Sequence, residues 1–235
     1  IDASGNVSLV SGNGNWGDDV GDKNNAQYRG IGSLAFASSG DLYVAERQKI
    51  KKLVVDGSGN WTAEDFVGTG DWGEEDGTGT NAYFMHINGI VIDKSGSTDV
   101  MYVADDNVIR KVTIPGGEVT TWANTNRNWG DNDGTLASAQ MQNVRGITQD
   151  TSESSLTLYI LDENKLKKVT NDGVETITGG DYGYADGDFD SAKFKEPFAL
   201  VVNSSGIYIS DQGNNKLRKI DLKPSITIAA GATTG

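Results

Sequence analysis

The chain has 235 residues, a net charge of −13, no cysteine and one histidine. That length, with 36% apolar residues, supplies material for a sizeable core, and the lack of cysteine excludes a disulfide scaffold and thiolate metal sites. The acidic balance argues against a nucleic-acid partner, whose phosphates need Lys/Arg clusters, and no apolar run approaches the roughly 18 residues of a membrane-spanning helix. The chain opens at Ile1 with no methionine and no visible signal peptide, which reads as a processed or trimmed form or a fragment.

In chain order, Ile1-Asp2 aligns with Ile220-Asp221 and Val7 with Ile226, so residues 1–12 are expected to close a repeat lying upstream. Four full repeats follow, at about 13–67, 68–123, 124–178 and 179–235, in a single domain. Each opens on a Gly-rich loop: Asn15-Trp16-Gly17-Asp18-Asp19-Val20-Gly21, Asp71 to Gly77, Asn128 to Gly134, and Asp181 to Gly187. The closing glycines stand 56, 57 and 53 residues apart (21 to 77, 77 to 134, 134 to 187), a period that marks one supersecondary unit used repeatedly.

After each loop come an Ala and a large apolar residue two positions on: Ala26/Tyr28, Ala82/Phe84, Ala139/Met141 and Ala192/Phe194. A first strand-like run begins five residues later, at Ser33, Gly89, Gly146 and Ala199. A polar turn leads to a second, such as Leu42-Tyr43-Val44-Ala45 or Met101-Tyr102-Val103-Ala104. The third run is half basic, as in Ile50-Lys51-Lys52-Leu53 and Ile109-Arg110-Lys111-Val112. A fourth closes the unit: Trp61 to Val67, Val119 to Trp122, Val174 to Ile177 and Ile226 to Ala229. The runs are short, rich in β-branched and aromatic residues, and bounded by Gly, Asn, Asp and Ser. No sustained 3.6-residue apolar period appears, so almost no helix is expected. Four short strands per unit predict an all-β chain of four-stranded antiparallel propeller blades, which can bury both faces only by packing side by side.

The Tyr/Trp-Gly-x-x-Asp-Gly loop, the Ala-x-Phe step and the Leu-Tyr-Val-Ala-Asp and Ile-Arg-Lys-Val strands resemble those of NHL-repeat β-propellers over the whole chain, with the second repeat nearest the pattern. The long Asp-Gly loop resembles that of bacterial secreted or surface propellers, which often follow a TIG domain; none is visible in these residues. The resemblance implies an extracellular or cell-surface setting, or a periplasmic one. The count of one plus sixteen strands reads as most of a larger ring, six-bladed in the common form of the family, with roughly two blades supplied by a missing segment or a partner chain. A compact four-bladed ring is the alternative.

Because strands alternate in direction, the loop entering strand one and the turn between strands two and three must share a face of the disc. The entering loops carry Trp16, Trp72, Trp129 and Tyr182; the turns carry Glu46, Asp105-Asp106-Asn107, Asp162-Glu163-Asn164 and Asp211-Gln212. Sugar C–H faces stack on aromatic rings and sugar hydroxyls bond carboxylates and amides, so this pattern points to a glycan or protein ligand. Packing of each aromatic against the next blade also explains the repetition, and is the commoner reason for it. Cross-strand pairing of Asp105 with Arg110, Asp162 with Lys167, Glu46 with Lys51 and Asp211 with Arg218 explains the carboxylates well.

The Asp131/Asp133 and Asp186/Asp188/Asp190 sets place carboxylates at alternate positions, as Ca²⁺ prefers, although Asp-Gly loops serve turn chemistry more often. Some relatives of the fold are lactonases with Ca²⁺ in the axial channel, and others are His/Zn²⁺ lyases. His86 alone cannot build a multi-His zinc site, and no Ser/His/Asp set has supporting spacing. Asp93 and Asp150 fall at strand ends, where they cap turns. The reading is a non-catalytic binding module with no cofactor; an adhesion scaffold or a lactonase-like hydrolase is the alternative.

Overall fold

A computed structural model of the chain describes residues 5–222. These residues form seventeen strands and two single-turn 3₁₀ segments, Gly79–Asn81 and Gln212–Asn214. Blade 1 contains β1 (Gly21–Asp22), β2 (Ser33–Phe36), β3 (Leu42–Ala45), β4 (Ile50–Val55) and β5 (Trp61–Val67). Blade 2 contains β6 (Gly77–Thr78), β7 (Ile87–Asp93), β8 (Val100–Asp105), β9 (Val108–Thr113) and β10 (Glu118–Ala123). Blade 3 contains β11 (Val144–Gln149), β12 (Thr157–Asp162), β13 (Lys165–Thr170) and β14 (Gly173–Gly179). Blade 4 contains β15 (Pro197–Asn203), β16 (Gly206–Asp211) and β17 (Lys216–Ile220). The expected run at Ile226 to Ala229 and the start at Ile1-Asp2 lie outside the described residues.

In every sheet the main strands run as an antiparallel meander in chain order, and only the short β1 and β6 leave that order, at the edge beside β5 and β10. The registers repeat: Tyr43 faces Lys52, Tyr102 faces Lys111, Tyr159 faces Lys168 and Tyr208 faces Lys219. The entering loops add what strand counting omits. In blades 1 and 2 the end of the Asp-Gly loop forms an extra edge strand, β1 on β5 and β6 on β10. In blade 3 it contracts to a bridge between Gly134 and Val174. Residues 5–10 form no strand, but Gly12 and Asn13 donate to the carbonyls of Lys23 and Ala26. Gly68 and Thr69 repeat this one blade on, donating to Gly79 and Ala82.

The core lies between blades. One cluster joins Tyr43, Ile50 and Val67 of blade 1 to Phe84, Ile90 and Val103 of blade 2. A second joins Ala104 and Ile109 to Met141, Ile147 and Ile160; a third joins Leu161 and Leu166 to Phe194, Leu200 and Ile209. The apolar residue of the Ala-x-Phe step is thus a plug driven into the preceding blade. Gly68, at φ +100°, shows the fit: a Cβ there would meet the carbonyl of Gln48 and the ring of Phe84. Gly179 repeats the arrangement with Asn164 and Phe194. The innermost strands β2, β7, β11 and β15 pack in sequence, and no comparable packing joins β15 back to β2 among the described residues. No helix among those residues is long and apolar enough to cross a membrane.

Candidate functional site

The face bearing the entering loops and the turns between second and third strands has a buried layer and an exposed one. The buried layer is a cation clamp, built four times. In blade 2 the guanidinium of Arg110, with no solvent exposure, donates to Asp105 at 3.1 Å, to Asp76 at 2.8 Å, and to the carbonyls of Tyr83 and Glu75 at 2.9 and 3.2 Å. In blade 1 the Lys51 ammonium lies 3.1 Å from Glu46 and 3.4 Å from Asp18, and donates to Gln27 O at 2.6 Å. In blade 3 Lys167 lies 3.5, 3.1 and 3.6 Å from Asp162, Asp131 and Asp133 and donates to Gln140 O. In blade 4 Arg218 reaches Asp211 at 2.9 Å and Asp186 at 2.7 Å, and bonds Lys193 O and Ala185 O.

Each clamp ties three pieces of chain together: the turn carboxylate, the loop carboxylate beside the aromatic, and the carbonyl just before the apolar plug. Hence Trp72 and Asp105 lie on one face, as do Trp129 and Asp162. The second oxygen of each turn carboxylate accepts a backbone N–H from the segment leading into strand one: Arg29 to Glu46, His86 to Asp105, Gln142 and Asn143 to Asp162, Lys195 to Asp211. With both oxygens engaged and the carboxyls buried, Asp105, Asp162 and Asp211 hold the blade together and present nothing to solvent.

Burial pushes the Asp105 carboxyl up to about 6, against the opposing pull of Arg110 and the amides of His86 and Met85. Burial raises Asp162 likewise, opposed by the amides of Asn143 and Gln142. The loop carboxylates behave oppositely. Burial works to raise Asp76, but Thr121 and then Arg110 and Arg127 outweigh it and hold the carboxyl below its usual range. Asp131 is likewise lowered by Lys165 and Lys167, despite burial.

The other turn residues are partly committed too. Asn107 is buried and donates to Arg127 O, and the side chain of Asn164 accepts from Glu196 N–H. Asp106 stays half-exposed; its backbone carbonyl accepts from Val144, and burial raises its carboxyl, opposed by His86.

The acidic loop positions have assigned partners. Asp131 bonds Lys165, and Asp133 accepts from the amide and hydroxyl of Thr176. Asp186 accepts from Tyr184 and pairs with Arg218; Asp188 accepts from Ser191; Asp190 is exposed. Among the described residues, no group of three or more His, Cys, Asp and Glu side chains is arranged to hold a metal ion.

The exposed layer is the aromatic rim. Trp16, Trp72, Trp129 and Tyr182 are 68, 67, 61 and 59% exposed, although their backbones are pinned by parallel bridges to Tyr28, Phe84, Met141 and Phe194. One bridge partner is a buried plug in three of the four blades; the other carries a ring left on the surface. Tyr184, also exposed, and Lys195, set 5.3 Å over the Tyr182 ring, extend the rim at blade 4.

Nearer the axis lies a cleft of about 390 Å³ that the repeat pattern conceals, lined by His86, Asn88, Asp106, Asn143, Arg145, Phe198 and Gln212. His86, Asn143 and the strand-one residues Asn88, Arg145 and Phe198 vary from blade to blade, so repetition did not flag them. For all of these but Phe198 the signal is the reverse one: polar or charged residues breaking an otherwise apolar strand start. Burial, with Arg47 adding to it, lowers the pKa of His86, so the ring is neutral near pH 7.

Sheets of antiparallel meander packed face to face around their innermost strands define a β-propeller built from repeats. In sequence the chain resembles NHL-repeat proteins: over 88 residues, 36% of its length, it is 32% identical to NHL repeat-containing protein 2 of Gallus gallus, of which that stretch is 12%. No family model matches the chain. Among solved structures it is similar to an auxiliary nutrient binding protein from Bacteroides thetaiotaomicron, with a TM-score of 0.62 at 18% identity over 83% of this chain and 48% of that one. A protein of the same description from Bacteroides ovatus gives a TM-score of 0.63 at 19% identity, over the same 83% and 48%. The chain thus spans about half the length of these solved structures, and what it shares with them is the fold.

Proposed function

We propose that the chain is a non-catalytic binding module of a secreted or surface-exposed bacterial protein, holding a glycan on its aromatic face. The observation that carries the reading is that four rings at one repeat position are left open to solvent while the residues bridged to them are driven inward in three blades and half-buried in the first. An aromatic held on a rigid backbone with a free ring face is a low-entropy platform for sugar C–H groups. The axial cleft supplies the polar complement: the amides of Asn143 and Gln212 and the Asp106 carboxylate line it, beside the Arg145 guanidinium, which pairs with Glu163 at 3.7 Å, and Asn88, which donates to Val144 O. The committed state of the buried carboxylates limits direct contacts to the rim and the cleft. The name borne by the two Bacteroides propellers, auxiliary nutrient binding protein, adds nutrient capture as the setting of the proposal.

The test is affinity electrophoresis of the 235-residue chain against a panel of soluble polysaccharides, with Trp72→Ala and Trp129→Ala run beside it. Retarded migration on one polysaccharide that each substitution weakens supports the reading. Retardation that neither substitution changes, or none on any polysaccharide, removes the rim from the binding role.

A further inference from the structure

The guanidinium groups of the clamps and the one in the axial cleft are supplied very differently. Arg110 and Arg218 each hold two carboxylates and two backbone carbonyls. Arg145, in β11, lies 3.7 Å from Glu163 and forms no hydrogen bond among the described residues. Both members of that pair keep solvent access, 27 and 37% of the side chain, so the tie is weak and a better acceptor can displace it.

Arg145 lines the cleft beside two further donors that have no protein acceptor. The His86 ring and the Asn143 side-chain amide form no hydrogen bond among the described residues. Their backbones are nevertheless fixed, because His86 N–H donates to Asp105 and Asn143 N–H to Asp162. Arg47 stands close enough to His86 to help lower its pKa, and its own side chain is exposed. The three lining donors belong to blades 2 and 3, whose shared core is closed within the chain. Asp106 is the one carboxylate among the lining residues, and burial biases it toward its neutral form. In a chain of net charge −13, donors are in excess here.

We infer that the cleft receives the anionic group of an acidic sugar, a carboxylate or a sulfate gripped by the Arg145 guanidinium, with the Asn143 amide and the His86 ring beside it. The guanidinium fork presents parallel N–H donors at the spacing of two oxygens on one such group, and a charge-assisted pair of that kind is stronger than a hydroxyl contact. A neutral imidazole still donates from one nitrogen. The inference rests on the proposed reading of this face as a glycan surface and names the class of sugar: a polysaccharide lying on the aromatic rim presents one acidic residue to the cleft.

His86 is the sole histidine of the chain, so its ring-proton resonances report on the cleft alone. The test follows them at about pH 7, where the ring is neutral, while the 235-residue chain is titrated with three probes. These are trigalacturonate, its methyl ester, which keeps the rings and caps the carboxylates, and a sulfated galactose oligosaccharide. The His86 signal should move with one of the two acids and stay still with the ester. Movement with the uronate assigns a carboxylate, and movement with the sulfated sugar a sulfate. Arg145→Gln gives up only the weak Glu163 contact, so it should fold with wild-type circular dichroism and bind the acid about tenfold or more weakly. A signal that neither acid moves, an ester that moves it as well as the acid does, or an Arg145→Gln variant of wild-type affinity overturns the inference. Retardation on a neutral polysaccharide with a silent His86 overturns it too, and leaves the rim reading intact. A His86 response to acid, with retardation that neither Trp72→Ala nor Trp129→Ala changes, removes the rim and keeps the cleft.

Discussion

The clamp and the rim grow from the same loop, and their residues recur at the same period, yet they do opposite things. Arg110, Lys51, Lys167 and Arg218 are drawn beneath the surface and surrounded by oxygen atoms. Trp72, Trp16, Trp129 and Tyr182, a few residues from the loop carboxylates that grip those cations, stay on top. Recurrence therefore shows that a position matters to every blade, while exposure separates what the blade needs for itself from what it leaves free. The apolar, bulky residues are the ones left outside and the charged ones are buried, so transfer energetics alone would predict the reverse. What reverses it is hydrogen-bond supply. The turn carboxylate, the loop carboxylate and one or two carbonyls give each cation several close acceptors, leaving only Nε of Arg110 unpaired in blade 2.

The comparison breaks most sharply on Arg110→Ala. The substitution leaves Asp105 buried without its cation, along with the carbonyls of Tyr83 and Glu75, and should cost about 3–5 kcal/mol. Urea unfolding measures it. A loss under about 1 kcal/mol would show that water replaces the guanidinium and that the clamp is not structural.

The next effect is on pH dependence. Asp105 titrates at about 6 in the folded chain, above its ordinary 3.8. The folded state therefore takes up a proton that the unfolded state does not. This contribution is complete below the unfolded value and disappears as pH rises through about 6, with a slope of at most about 1.4 kcal/mol per pH unit. Asp105→Asn removes it, so the stability difference between wild type and variant should shift in the wild type's favour between pH 6.5 and 4.5. Asp76, held low, acts with the opposite sign and only below its ordinary 3.8, outside that window. An unchanging difference across the window would mean that Asp105 stays ionised throughout.

A smaller effect is expected from Arg110→Lys. Blades 1 and 3 already place lysine there, and Lys51 satisfies its clamp with Glu46, Asp18 and Gln27 O. The ammonium would still reach the carboxylates but cannot keep all four guanidinium contacts, so a loss of about 1–2 kcal/mol should appear. A loss as large as that of the alanine variant would mean that the planar fork, rather than the charge, holds the loop.

Much of this was legible in the sequence because each blade is written four times. The strands, their order, the Asp105–Arg110 class of pairs and the shared face all follow from the period and from strand alternation. The depth of those pairs does not. Nothing in Asp105-Asp106-Asn107 says that Asp105 and Asn107 are buried while Asp106 looks into the cleft; the turn's left-handed residue, Asp106 at φ +54°, decides that. The extra strands β1 and β6 were hidden because two-residue pairings inside Gly-rich loops have no alternating pattern. The axial cleft was hidden because His86, Asn88, Asn143 and Arg145 are where the repeats differ, and a search for sameness passes over them.

The smallest stability effect should come from the rim, and it sharpens the comparison because a null result is the expected one. Trp72 is 67% exposed, so Trp72→Ala removes few packed contacts and should change unfolding free energy by less than about 1 kcal/mol. A cost near the 3–5 kcal/mol typical of a truncated core aromatic would reclassify the ring as packing. Stability alone cannot tell a binding platform from an idle surface ring, so the substitutions must be chosen by shape. On a polysaccharide that retards the wild type, Trp72→Phe should keep most of the retardation, because a flat ring survives. Trp72→Leu, of comparable hydrophobicity but without a ring face, should lose it. If Phe and Leu behave alike, the contact is a general apolar one, and stacking of sugar on the rim is not how this face binds.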